Sequence, residues 1–326
     1  PPAFRRSGQV LPEGEEYLTA QEIDAFRKQC LTAKAEQEYH ARGSYDSAYT
    51  LPTGERFRLN FLEALTGPAF VARPVYPGEA LFFEELGLPA ATLAEMCTNK
   101  SGIIIVVGST GSGKSTSLAS MIDFINRNRA EHIITIEDPI EYVHKNIMSL
   151  LEQREVHSDT HSFAAALKYA LREDPDVILV GEMRDTETIA AALTAAETGH
   201  LVFGTLHTNS APQTIDRIID SFPSHQQNQI KLQLASVILG IISQRLLPTV
   251  DGKGRVAAFE ILVGTPPVQA LVREGKTAML QSLLETGAKD GMITMQKSLE
   301  TLYSEGKISL EEMQTYMLDY KADDAY

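Results

Sequence analysis

The chain has little cysteine: Cys30 and Cys97 are the only two, far apart and not in a C-x-x-C pair. That excludes a disulfide framework and a Cys-rich zinc module, and it fits a reducing cytoplasm. Basic residues are outnumbered, with 29 Lys and Arg against 43 Asp and Glu and a formal net charge of −14. A free nucleic-acid binder carries a basic field, so a broad phosphate-tracking surface is not expected, and local basic patches stay open. Aromatic and basic residues are also not interleaved as a single-strand-binding groove requires. Long hydrophobic runs are missing. Leu234 to Ile242 is the longest near the end, is too short to span a bilayer, and is followed by Gln244 and Arg245. The sequence shows no signal-peptide pattern, internal repeat or low-complexity segment. The chain begins at Pro1 and its first ten residues form no complete predicted element, so the expectation is a first domain shortened at its start.

What is present is enough chain, 326 residues, for two domains with sizeable cores. The most informative stretch is Ile103 to Val107 followed by Gly108-Ser109-Thr110-Gly111-Ser112-Gly113-Lys114-Ser115. An unbroken apolar run reads as a parallel strand buried on both faces. Behind it stands a complete G-x-x-x-x-G-K-[ST] and a helix-compatible stretch, Thr116 to Asn126. Glycines let such a loop curl with its N–H groups facing phosphate oxygens, and the helix adds its positive end. The expected nucleotide-binding set is Ser109, Thr110, Gly111, Ser112, Gly113, Lys114, Ser115 and Thr116. Lys114 is expected on the β- and γ-phosphates and Ser115 on Mg²⁺.

The chain divides in its patterning. Residues 1 to 78 form the expected first domain and 79 to 326 the second, with a break at Tyr76-Pro77-Gly78. In the first, Thr19 to Glu38 reads as one helix capped by Thr19 and Glu22, with Ile23, Phe26, Cys30, Leu31 and Ala35 at helical spacing. Strands follow at Ser47 to Thr50, Arg56 to Phe61 and Ala69 to Pro74. In the middle strand Phe57, Leu59 and Phe61 alternate with Arg56, Arg58 and Asn60. On periodicity alone Arg58 and Arg73 are a solvated strand face.

In the second domain, a helix from Leu88 to Cys97 leads to the phosphate-loop strand. Strand and helix then alternate through His132–Ile136, Phe163–Leu171, Val177–Gly181, Thr186–Glu197 and Leu201–Thr205. That is an α/β pattern, a parallel sheet with helices on both faces, whose strand ends gather beside the phosphate loop. Beyond it, Gln226 to Leu247 reads as a long helix, Val256 to Leu262 as one more strand, and the rest to Tyr320 as helices that pack on the core or meet a neighbouring subunit. Ser309 and Glu312 form a capping box there.

Three strand ends carry chemistry. Asp176 to Val180 delivers Glu182, the position of a Mg²⁺-associated carboxylate, here expected to act through water. Ile133 to Ile136 ends in Glu137, Asp138 and Glu141 around Pro139. A carboxylate there could orient a water for attack on the γ-phosphate, and periodicity does not say which. His200 and His207 stand at opposite ends of one strand, about 23 Å apart at about 3.3 Å per residue, so they cannot share a metal. His207 is on the ligand edge, and His200 reads as structural.

GSTGSGKST, TIEDPIEY, VGEMRDTETI and TGHLVFGTLHTNSA stand in one order, with QREV, TIDRIIDSFP and VQALVRE as further matches. Together they closely resemble the Walker A, Asp box, Walker B and His box of the secretion-superfamily ATPases, above all the type IV pilus retraction ATPases of the PilT and PilU group. The resemblance implies a RecA-like P-loop domain with a smaller PAS-like α+β N-terminal domain and a homohexameric ring. It implies ATP hydrolysis with Mg²⁺ to drive pilus retraction and twitching motility in the cytoplasm, peripheral at the inner membrane. The implied partners are an inner-membrane pilus platform protein and a paralogous retraction ATPase. By position it makes Glu141 the catalytic glutamate, Glu182 the Walker B glutamate, His207 the His-box residue, and Arg58 and Arg73 the basic N-terminal positions. Leu65-Thr66 stands where relatives often carry another arginine, and the family's usual N-terminal strand is missing. Alternatives in the superfamily are pilus-assembly, type II or type IV secretion ATPases, or an accessory ring acting with another motor. The lack of cysteine after Cys97 argues against the members with a four-cysteine zinc module.

Overall fold

The computed structural model describes residues 2–6, 9–75 and 80–323. The chain falls into two compact units, Pro1–Pro77 and Gly78–Tyr326. The expected break at Tyr76-Pro77-Gly78 lies outside the described residues.

The first unit opens with β1 (Ala3–Arg6) and β2 (Gln9–Pro12), paired antiparallel, where no element was expected. Next come α1 (Ala20–Cys30) and α2 (Ala33–Arg42). The single expected helix is therefore two. The capping box of Thr19 and Glu22 is present, but Leu31 turns extended and Thr32 restarts the helix by accepting from the Ala35 amide. Threonine competes for backbone N–H groups and so favours a cap over a helix interior. The strands β3 (Ser44–Thr50), β4 (Arg56–Ala64) and β5 (Gly67–Val75) form an antiparallel meander. Leu59 and Phe61 point to one face and are buried with Leu31, Ala35 and Tyr39 from the helices. Arg58 and Arg73 stand directly opposite one another in the β4–β5 register.

The second unit runs α3 (Ala90–Cys97), β6 (Gly102–Val107), α4 (Lys114–Asn128), β7 (His132–Glu137), β8 (Leu150–Glu155), α5 (Phe163–Ala170), β9 (Val177–Val180), α6 (Thr186–Glu197), β10 (Leu201–Leu206), α7 (Ala211–Asp220) and α8 (Ser224–Val237). It continues with β11 (Ile238–Pro248), β12 (Arg255–Val263), α9 (Pro266–Glu274), α10 (Leu280–Thr286), α11 (Met295–Ser304) and α12 (Leu310–Asp323). Among the described residues these strands make one seven-stranded sheet in the order β12-β11-β6-β10-β9-β7-β8. All neighbours are parallel except β11 with β12. On β6 the side chains of Ile103, Ile105 and Val107 enter one core and those of Ile104 and Val106 the other, so both faces are covered. Truncating any of these isoleucines to alanine costs about 2–5 kcal/mol.

Two readings of the second unit need correction. Ile238 to Leu247 is a strand and not the end of a long helix. It is buried between β6 and β12, and a strand covered on both faces loses the alternation that would reveal it. The edge strand β8 was not among the expected elements; its Glu152, Gln153 and Arg154 give no apolar run.

Candidate functional site

The parallel order brings the C-terminal ends of β6, β7, β9 and β10 to one sheet edge, where α/β sheets hold their ligands. The phosphate loop is wedged there by β11. Gly108 has φ 143°, and a Cβ on it would strike the Gln244 carbonyl oxygen and come within 2.6 Å of Ser112 Oγ. A Cβ on Gly113, at φ 92°, would lie 2.7 Å from Gln244 Nε2. The Gln244 side chain is itself anchored, its Oε1 accepting from Ser117 Oγ at 2.7 Å. Gly108→Ala therefore distorts the loop against a backbone atom that cannot swing aside. The expected result is a folded variant destabilised by about 1–3 kcal/mol. Nucleotide binding should be lost, as read by a thermal melt and a fluorescent-nucleotide titration.

Lys114 begins α4, and its ammonium donates to the carbonyls of Gly108 (2.8 Å) and Ser109 (3.1 Å). Burial lowers its pKa, and the carboxylates of Glu182 and Glu141 oppose that shift, which places both within electrostatic reach of the lysine. Glu182 follows β9. Its Oε1 lies 2.8 Å from His207 Nε2 and 2.5 Å from Arg184 Nε. His207, just beyond β10, thus meets Glu182 in the ligand-edge loops. His200 is held at the other end of β10, its Nδ1 2.9 Å from the Ala195 carbonyl.

The three carboxylates after β7 differ in environment. The carboxyl of Glu137 is enclosed and accepts from Thr135 Oγ1 (2.7 Å) and Gln153 Nε2 (3.2 Å). Burial pushes its pKa up to about 7 against these hydrogen bonds, and the Glu141 carboxylate adds to the rise. Glu141 is exposed, as is Asp138. Gln153 also donates to the Tyr142 carbonyl at 2.8 Å and accepts from the His144 amide at 2.9 Å, so the acidic turn is pinned by β8. Tyr142 ties the same turn to α4 through a 2.9 Å bond between its hydroxyl and Thr116 Oγ1. Gln153, Tyr142 and Gln244 were not singled out as site residues. No spacing marks them, because each acts through a strand or turn remote in sequence from the loop it holds.

The raised pKa of Glu137 has a consequence for stability. The folded chain keeps a proton that an unfolded carboxyl, near 4.5, has released. The contribution of this group is thus full below pH 4.5 and is lost as pH rises through about 7. The difference in unfolding free energy between the wild type and Glu137→Gln should fall across that window by at most about 3 kcal/mol. Denaturant melts at several pH values measure it, and a flat difference counts against the assignment.

The arginines Arg58 and Arg73 belong to the first unit. Arg58 Nη2 stands 3.9 Å from Asp46 Oδ1, a surface contact of little energy.

The model of the type II/IV secretion system protein family matches residues 48–316. A twitching motility protein of Neisseria gonorrhoeae is 48% identical over 301 residues, which cover 92% of this chain and 79% of that one. The type IV pilus retractation ATPase PilT of Pseudomonas aeruginosa is 44% identical over 311 residues, 95% of this chain and 90% of its own. The crystal structure of the pilus retraction motor PilT with bound ADP aligns with a TM-score of 0.86 at 46% identity, covering 96% of this chain and 89% of that one. The α/β fold and the resemblance read from the four motifs are borne out. With a loop wedged for phosphate at one sheet edge, acidic groups at the neighbouring strand ends and a family match across most of its length, this chain belongs to the type II/IV secretion system protein family.

Proposed function

We propose that the protein is an ATP-hydrolysing motor that powers retraction of type IV pili. What carries this reading is the shared electrostatic reach of Lys114, Glu141 and Glu182 at the wedged phosphate loop, together with relatives named for retraction and twitching. Lys114 neutralises the β- and γ-phosphates while the loop amides of residues 109 to 116 cradle them. Glu141, exposed and beside the lysine, orients the attacking water. His207 approaches the γ-phosphate from the β10 loop. Glu137 is enclosed and holds the acidic turn, so it is not the base.

Mg²⁺ fits the donors present. Ser115 Oγ and the Glu182 carboxylate are hard oxygen ligands, and Mg²⁺ is commonly held by one or two protein oxygens with phosphates and water supplying the rest. Among the described residues no group of three or more His, Cys, Asp and Glu offers an all-protein cage, in keeping with that mode. Held there with ATP, Mg²⁺ would supply screening of the charge on the phosphoryl oxygens.

The first unit is read as the PAS-like domain and the second as the RecA-like ATPase with its C-terminal helices. The working form is a homohexamer acting on an inner-membrane platform protein, with a paralogous retraction ATPase as a further partner and no nucleic acid. We place it in the cytoplasm, peripheral at the inner membrane. Among the described residues no helix is long and apolar enough to cross a membrane. Arg58 and Arg73 stabilise charge on the nucleotide. Arg58→Ala should lower kcat by about 10³-fold while changing KM for ATP little, the low end of what such arginines contribute. If both alanine variants are kinetically silent, the two residues are a solvated strand face.

The reading is tested by deleting the coding sequence in its host and counting surface pili. Retained or excess pili without twitching support retraction. Loss of pili means assembly and overturns the proposal. Purified protein must also hydrolyse ATP without stimulation by single-stranded DNA.

A further inference from the structure

The last helix of the chain makes a buried polar contact with the strands beside the nucleotide edge. Tyr320 on α12 is buried in a small apolar cluster with Leu247, Leu299 and Ile308. Its hydroxyl donates to Oε2 of Glu260 on β12, which is fully buried. The other carboxylate oxygen, Oε1, accepts at 2.9 Å from the Ala211 amide, the first of α7. A carboxylate at this helix end meets the positive pole of the helix. A buried tyrosine hydroxyl and a buried carboxylate are both costly unless bonded, and phenylalanine would pack the same apolar space. The pair therefore does something that packing alone does not require.

What it holds is the His207 loop. Three residues separate His207 from Ala211, and that short stretch is gripped from several sides. Ser243 on β11 donates to the Asn209 carbonyl at 2.6 Å. Thr214 donates to the Ser210 carbonyl at 2.6 Å and lies 2.7 Å from the Thr208 hydroxyl. The free end of the loop is His207, whose Nε2 meets Glu182. A continuous series of short contacts thus runs from α12 through Tyr320, Glu260 and Ala211 to His207.

We infer that Glu260 is a positioning residue for ATP hydrolysis, and that Tyr320 clamps it so that docking of α12 sets the placement of His207. Displacing the terminal helix then slows turnover without touching the nucleotide. This rests on the ATPase reading above.

The test uses full-length protein carrying Tyr320→Phe, alone and combined with His207→Ala. Losing one buried hydrogen bond at about 1–1.5 kcal/mol corresponds to a fall in kcat of about five- to tenfold. KM for ATP should stay within about twofold, since the phosphate loop is untouched. In the His207→Ala background Tyr320→Phe should add no further loss, because residues acting in one series are not additive. Glu260→Gln, which keeps an acceptor for the Ala211 amide, should fall between the wild type and Tyr320→Phe. Amide hydrogen exchange across residues 208 to 214 should rise in Tyr320→Phe without nucleotide. An unchanged kcat, an equal loss in both backgrounds, or unaltered exchange overturns the clamp. If the wild type does not hydrolyse ATP, the ATPase reading falls, and the exchange result still decides whether Tyr320 holds the loop.

Discussion

Lys114→Ala abolishes measurable ATP hydrolysis and weakens ATP binding at least about a hundredfold. The lysine makes its contacts inside the phosphate loop's own turn, at Gly108 and Ser109. A charge-assisted contact to phosphate is worth about 1.5–3 kcal/mol, and two such contacts reach the hundredfold range. The fold should barely respond. The variant loses the two bonds to loop carbonyls, but it also loses a charge that burial disfavours, as the lowered pKa indicates. These effects offset, so the melting temperature without ligand should shift by no more than a few degrees. Calorimetric titration with ATP and a phosphate-release assay check both halves. Wild-type turnover in the purified variant would remove the phosphate-loop assignment.

The second large effect separates the acidic residues. Glu141→Gln should still bind Mg²⁺-ATP, because Lys114, Ser115 and the loop amides remain in place. Its single-turnover rate should drop by about 10²–10⁴, the usual contribution of a positioned general base. Glu182→Gln should be slow as well, and it should need a higher Mg²⁺ concentration to bind ATP. It also loosens His207 and Arg184, which share the Glu182 carboxylate. Glu137→Gln should keep much of its turnover at neutral pH, since the native carboxyl, with a pKa of about 7, is already protonated in good part there. A Mg²⁺ titration of ATP binding and a single-turnover assay on all three variants distinguish them. Normal turnover in Glu141→Gln with failure in Glu137→Gln would move the base from Glu141 to Glu137.

The sequence and the structure agree most where one element carries its own signal. The phosphate loop is local, so its glycines, its lysine and the helix behind it could be read from consecutive residues. Glu182 and His207 follow largely apolar strands, and that pattern places both at the ligand edge. Among Glu137, Asp138 and Glu141 the pattern was silent, because the difference is made by Gln153 on β8, a polar edge strand that looks like loop. Likewise β11 was taken for helix, and the wedge of Gln244 under the loop went unseen with it. The two failures have different causes: β11 is covered on both faces and loses the alternation that would reveal it, whereas β8 is a polar strand at the sheet edge. In the first unit the split between α1 and α2 turned on Thr32, where a cap competes with helix continuation within a single residue.

The position of β11 bears on when the protein becomes competent during synthesis. The phosphate loop follows β6, yet the atoms that wedge it come from Gln244, and β6 is flanked by β10 and β11, both made much later. An emerging chain that has completed the GSTGSGKS segment lacks the walls that shape it. Strand pairs of such high sequence separation form slowly and leave apolar surface open until they close. Nucleotide can then bind only after β11 has left the ribosome and slotted beside β6, so the growing chain passes most of its translation unable to take up ATP.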